Sequence, residues 1–381
     1  MTPAPLLDWL SRRFELSRGG ASANLRPMEG LRGFAVFLVF LVHYVSLGAP
    51  WIEGHDGLRT FADGVHRIGN TGVDLFFVLS GYLIYGSLML RPQPFLPYMA
   101  RRAERIYPAF LAVLALYIAL SFAMPAASRI PREAADAALY LVENLLLLPG
   151  LAPIEPIITV AWSLSYEMFF YLTVPALIGG LRLRRWTAGQ RMALFGAASC
   201  ALAAYCALNG GHVRLIMFFS GMLLWEVLRV RQAAAPRAGS ALLALAAAWS
   251  LVALPLKGSA WHAAEVVALA LAYLVLCLAC FAAPASRTAR AFSWTPLRWL
   301  GNMSYSYYLL HGLALHGAFR ILGLVAAPAG HGAAFAVLLM PALFAASLVP
   351  AALLFLAVER PLSLAAQPRR QAGLSGGVRR A

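Results

Sequence analysis

The chain has 381 residues, of which 61% are hydrophobic and 12% charged, with a mean hydropathy of +0.71. Soluble domains run near 45–50% apolar and about 25% charged, so a soluble globular fold is excluded. The net charge of +15 could suggest nucleic acid. Its basic residues, however, sit in short stretches between apolar runs, which is the positive-inside pattern of a membrane protein facing anionic headgroups.

The apolar residues cluster into runs of about twenty, which predicts an all-α polytopic membrane protein. Alternating segments of the kind that build a membrane β-barrel are not seen in the sequence. Residues 1–26 read as a polar, arginine-bearing cytoplasmic arm without a signal-peptide pattern. Within the arm, 6–16 has the character of a short amphipathic helix on the membrane surface. The first span is 31–49, then a polar loop at 50–70, a second span at 71–90, a basic proline-bearing turn at 91–105 and a third span at 106–124.

The apolar stretch 134–148 is short and carries Asp136 and Glu143, so it is expected to be interfacial or re-entrant. Further spans are expected at 160–181, 192–208, 213–230, 241–256, 262–283, 299–322 and 333–358, ten in all. The domain division is an arm at 1–26, a membrane domain at 27–361 and a cytoplasmic tail at 362–381. Ten spans put both termini on one side, and most of the 31 basic residues collect there, which makes that side cytoplasmic. A full crossing by 134–148 would destroy this bias. No repeat suggests a solenoid or an inverted-repeat transporter. Cys200, Cys206, Cys277 and Cys280 fall within apolar spans. The CxxC at 277–280 lacks partners at metal-site spacing, so no metal is expected and small packing residues are the reading.

Four places hold polar residues where apolar ones would be the default. Arg32 and His43 stand eleven residues apart, about 16 Å along a helix and on one face of it. An ionisable residue inside a span marks a functional site by default, though a basic anchor or an interhelical hydrogen bond would also account for each. Asp74 enters the second span at a depth close to His43, where it could orient the imidazole or serve the helix dipole. Arg102 and Arg105 share a helical face, and guanidinium forks at that spacing suit phosphate, although an ordinary basic loop has the same look. Glu167 lies about two turns into the fourth span with no basic neighbour, which favours a catalytic or site-organising role. His311 adds a second intramembrane histidine, for which an interhelical hydrogen bond is an equal explanation.

With these residues in view, the chain resembles the acyltransferase-3 family of integral membrane O-acyltransferases, which modify bacterial surface polysaccharides. The resemblance rests on Gly30-Leu31-Arg32-Gly33 with His43, GVDLFFVLSGYLI, RRAERIYP, SLSYEMFFYL and SYSYYLLH. Glu29 stands where the family more often has aspartate. The resemblance implies an acyl-coenzyme A donor, most often acetyl-CoA, approached from the cytoplasm of a bacterial inner membrane. The implied acceptor is a hydroxyl of a carbohydrate or glycolipid. It assigns importance to Arg32, His43, Arg102 and Arg105. The expected roles are His43 as general base or acyl carrier, Asp74 and Glu167 as its partners, and the three arginines as ligands of the donor phosphates. The alternative is a transporter or flippase using the same buried charges as a pathway. Oligomeric state is not legible.

Overall fold

The computed structural model describes residues 3–16, 25–230, 236–328 and 330–364, and those residues form helices and loops with no β-strand. The helices are α1 (Pro3–Phe14), α2 (Leu25–Gly48), α3 (Asp56–Leu90), α4 (Phe95–Ala123), α5 (Ala134–Leu145), α6 (Trp162–Gly180) and α7 (Ala188–Asn209). They continue as α8 (Ile216–Val230), α9 (Ala238–Ala253), α10 (Ser259–Phe281), α11 (Arg287–Phe292), α12 (Thr295–Asn302), α13 (Ser304–Val325) and α14 (Ala333–Leu354). A π-helical stretch, Phe355–Leu364, follows α14.

Among the described residues, seven helices are long and apolar enough to cross a membrane: α2, α3, α4, α7, α10, α13 and α14 with its extension. The three other expected spans are α6, α8 and α9, of 19, 15 and 16 residues. Rows of exposed large apolar side chains such as Leu243, Leu271, Leu324, Leu338 and Leu353 cover the outside, as a lipid-facing surface requires. The chain is an all-α polytopic membrane protein.

Several boundaries differ from the sequence reading. The expected loop at 50–70 is helical from Asp56, so α3 runs for 35 residues, about 52 Å at 1.5 Å per residue. Its first turns are polar because they outrun the hydrocarbon layer. The expected basic turn at 91–105 is helical from Phe95, since Pro94 sits at the cap and Pro97 in the first turn, where no backbone donor is lost. The expected ninth span is two helices, α12 and α13, broken at Met303. Glu359, just past the expected tenth span, is fully buried inside the π-helical stretch. Of the expected tail, 365–381 lies outside the described residues.

The segment between α4 and α6 is tied to both helices. Tyr107 on α4 donates to the Leu145 carbonyl at 3.1 Å, and Ser165 on α6 donates to that of Pro149. Irregular backbone at membrane depth must find partners within the protein. Asn144 supplies them, donating to the Tyr140 carbonyl and accepting from the Ile157 amide at 2.8 Å. Gly150 at the turn has φ +98°, and a Cβ there would stand 2.4 Å from the Trp162 carbonyl oxygen, so only glycine fits.

Two apolar cores hold the bundle. One gathers Leu75, Phe77, Phe110, Phe218 and Tyr273, the other Phe40, Tyr307, Leu315 and Phe355. α3 and α8 cross at glycine, where a Cβ on Gly81 would lie 2.3 Å from Phe218 oxygen and one on Gly221 would lie 2.1 Å from Val78 oxygen. Such contact lets dispersion and backbone dipoles act where no hydrophobic force drives helices together. The arm does more than lie on a surface. Phe14 stacks on Phe355 at 5.7 Å, and the Phe14 carbonyl accepts from Asn302. Glu15 accepts from Arg298 and, at 3.2 Å, from Trp299.

Candidate active site

The site lies between α2, α3, α6 and α13. Tracing the helices from the basic loops, Arg32, Arg102 and Arg105 fall near the arginine-rich end of the bundle, and His43 lies deeper. Arg32 on α2 donates to Ser304 Oγ from Nε at 3.2 Å and Nη2 at 2.9 Å. It also lies over the Phe76 ring at 5.8 Å. Ser304 is the first residue of α13, directly after the break at Met303.

Arg32 and Ser304 line a cavity of about 60 Å³ with Ser80, Ser163, Glu167 and Tyr308. Glu167 Oε1 accepts from Ser80 Oγ at 2.9 Å and from Tyr171 OH at 2.5 Å. The carboxylate expected beside His43 therefore stands in the arginine cavity, held by two hydroxyls.

Arg102 packs its guanidinium over two rings, Tyr98 and Tyr171, each 5.7 Å away. Its Nε is buried without a hydrogen-bond partner among the described residues. Arg105 differs from it. Its Nη1 is 2.5 Å from Glu359 Oε1, while Glu359 Oε2 accepts from the Ser306 amide at 3.1 Å and Ser306 Oγ at 2.6 Å. Glu359 thus neutralises Arg105 and caps the first turn of α13, an N-terminal site suited to a carboxylate.

His43 lines two larger cavities. One, of about 400 Å³, is walled by Asn70, Trp162, Tyr166, Arg214, His262 and Tyr308. The other, also about 400 Å³, is walled by Tyr117, Ser121, Leu313, His316 and Arg320. Thr159 and Val160 line both. The first of these and the arginine cavity share Val73 and Tyr308 as a wall. Tyr308 is fixed there by hydrogen bonds to Ser163 Oγ at 2.8 Å and the Val160 carbonyl at 2.9 Å. So Arg32 and His43 share a face of α2 yet open into neighbouring cavities on either side of one tyrosine.

Asp74, expected to orient His43, lies 3.6 Å from Arg214 Nε and is almost wholly buried. Arg214 in turn lies over Trp162 at 5.3 Å. Sequence reading missed Arg214, 140 residues from its partner, and the signal available was a lone arginine just after the Asn209-Gly210-Gly211 turn. Ser304 and Glu359 were missed because a helix break and a π-helix leave no periodic mark. The His43 ring instead meets that of His311, with centroids 4.8 Å apart and planes at 70°.

Chemically, the arrangement offers cations near one end, an imidazole in mid-bundle and a roomy polar cavity beyond it. Residues 27–357 match the acyltransferase-3 family, described as an acyltransferase domain. BcsY of Komagataeibacter xylinus, named as a membrane-bound transacylase, is 31% identical over 309 residues, covering 75% of this chain and 72% of its own. The peptidoglycan O-acetyltransferase OatA of Listeria monocytogenes is 27% identical over 323 residues, and acyltransferase MdmB of Streptomyces mycarofaciens is 28% identical over 325. These matches cover 74% and 79% of this chain; the chain spans 48% of the OatA length and 81% of that of MdmB. No solved structure matches the chain. The chain belongs to the acyltransferase-3 family and is a multi-pass membrane O-acyltransferase rather than the transporter its buried charges would also allow.

Proposed function

We propose that the enzyme moves an acyl group, most often acetyl, from acyl-coenzyme A to a hydroxyl of a cell-surface carbohydrate or glycolipid. The observation that carries this reading is the position of His43, whose ring borders a polar cavity of about 400 Å³ one tyrosine away from the arginine cavity. The arginine-rich end faces the cytoplasm of a bacterial inner membrane, by the positive-inside rule, and coenzyme A is available there. Arg32 and Arg102 hold the donor phosphates through charge-assisted hydrogen bonds. Arg105 contributes by fixing α13 through Glu359. His43 takes the proton of the acceptor hydroxyl as its oxygen attacks the thioester carbonyl. The new C–O bond forms, the C–S bond breaks, and the proton passes from His43 to the departing sulfur. A general base of this kind contributes about 10²–10⁴-fold. Asp74 with Arg214, and Trp162, form the wall against which the sugar binds.

The test is incubation of purified protein with labelled acetyl-CoA and a surface polysaccharide extract. Wild type forms a labelled ester, and His43→Ala, present in the membrane at the same level, forms none. Most of the activity surviving in that variant would remove the imidazole from the reaction.

A further inference from the structure

His311 is fully buried on α13. Its Nδ1 lies 3.0 Å from the Tyr307 carbonyl and 2.9 Å from that of Tyr308. A carbonyl oxygen only accepts, so Nδ1 carries the proton, and in the neutral ring Nε2 is left as a lone pair. Nε2 is buried and has no hydrogen-bond partner among the described residues. Such an atom calls for an explanation in a native structure.

Three rings touch that of His311: Tyr307 at 5.2 Å, Tyr308 at 6.1 Å and His43 at 4.8 Å. Both tyrosine hydroxyls are committed elsewhere, Tyr307 to Ser347 Oγ at 2.8 Å and Tyr308 to Val160 and Ser163. The His43 ring makes no hydrogen bond among the described residues, and opposite it α13 presents Gly312, where even a Cβ would stay 4.0 Å from the His43 ring. The ring therefore has room to turn. Of the three neighbours, it is the one with an uncommitted N–H.

We propose that His311 is a positioning residue for the acyl transfer: its Nε2 accepts the second N–H of His43 and so holds the His43 lone pair toward the substrate cavity. This rests on the role of His43 given above. When the acceptor hydroxyl gives its proton to His43, the imidazolium keeps one N–H on His311 and returns the other proton to the leaving sulfur. His311 gains and loses no proton over the cycle. It does with a neutral acceptor what a carboxylate does behind the histidine of a hydrolase triad, without adding another charge to the membrane interior.

Two measurements test this on the full-length protein in lipid. In kinetics with acetyl-CoA and polysaccharide extract, His311→Phe keeps the ring volume and removes the acceptor. It is expected to lower kcat about 10²-fold or more with the KM for acetyl-CoA unchanged, whereas His311→Gln, which retains an acceptor, recovers part of the loss. A His311→Phe enzyme with wild-type kcat overturns the proposal, and so does a loss in which Gln fares no better than Phe. The second measurement does not depend on turnover. Solid-state NMR of protein labelled with ¹⁵N-histidine is expected to show His311 protonated at Nδ1, and to show the tautomer balance of His43 changing in His311→Phe. A His43 signal identical in the two proteins overturns the proposal. If the tautomer changes but wild type makes no ester, the function assigned to His43 fails and the contact between the two imidazoles stands.

Discussion

The two arginines of the Arg-x-x-Arg motif lie one turn apart and have different surroundings. Arg105 is paired with a fully buried carboxylate, and Arg102 sits between tyrosine rings with a buried nitrogen left over. Their substitutions should therefore fail differently. Arg102→Ala should raise the acetyl-CoA concentration needed for half-maximal rate by at least tenfold while the protein remains folded. Equal donor requirement in Arg102→Ala and wild type would take that side chain off the donor. Glu359→Gln should instead lower stability, since breaking a buried ion pair costs about 3–5 kcal/mol by leaving one charge uncompensated. Thermal unfolding in detergent reads this directly, and replacing Arg105 and Glu359 together should cost less than replacing either alone. Sequence reading singled out Arg32, His43, Arg102 and Arg105 but not these partners. Glu359 is 254 residues from Arg105, and Asp74 meets Arg214 from 140 residues away. Helical periodicity carries no information about contacts made at that range.

Elements were legible where apolar length decided them and less so where polar chemistry did. α2, α10 and α14 fall close to the predicted spans because a run of about twenty apolar residues has one low-energy solution in a bilayer. The α12–α13 break and the π-helical end coincide with tertiary contacts of Ser304 and Glu359, which local pattern does not register. That α5 is too short to cross was legible, because its apolar run is brief and two acids sit in it; the helix has twelve residues. The docking of α1 was not. Glu15 ties the arm to the bundle, and its carboxyl sits below the ordinary value of 4.5. Burial pushes it up, but hydrogen bonds from Arg298 and Trp299 and the Arg298 charge outweigh that. A depressed carboxyl stabilises the folded arm above the ordinary value, and that contribution disappears as pH falls through the lowered one. On acidification, the wild-type tryptophan emission should therefore converge on that of Glu15→Gln only below pH 4.5. Identical emission of the two proteins at neutral pH would mean that Glu15 does not hold the arm.

At the scale of the molecule, the bundle brings together two half-sites that neither end contains alone. On the function proposed above, the basic half is the donor site and the larger polar cavity the acceptor site, with His43 beside the latter and Tyr308 standing between them. This two-sided layout was partly visible in the sequence, as an arginine and a histidine three turns apart on one helix. The dividing tyrosine was not, because its place depends on hydrogen bonds to Ser163 and Val160 on a different element. The most direct measurement of the whole account uses purified protein reconstituted in sealed vesicles of known orientation. Labelled acetyl-CoA is supplied to the face bearing the arginine-rich loops, and the carbohydrate acceptor only to the opposite face. The account predicts labelled ester on the acceptor side, lost in His43→Ala. Ester formed only when both substrates are given on the same face would contradict it.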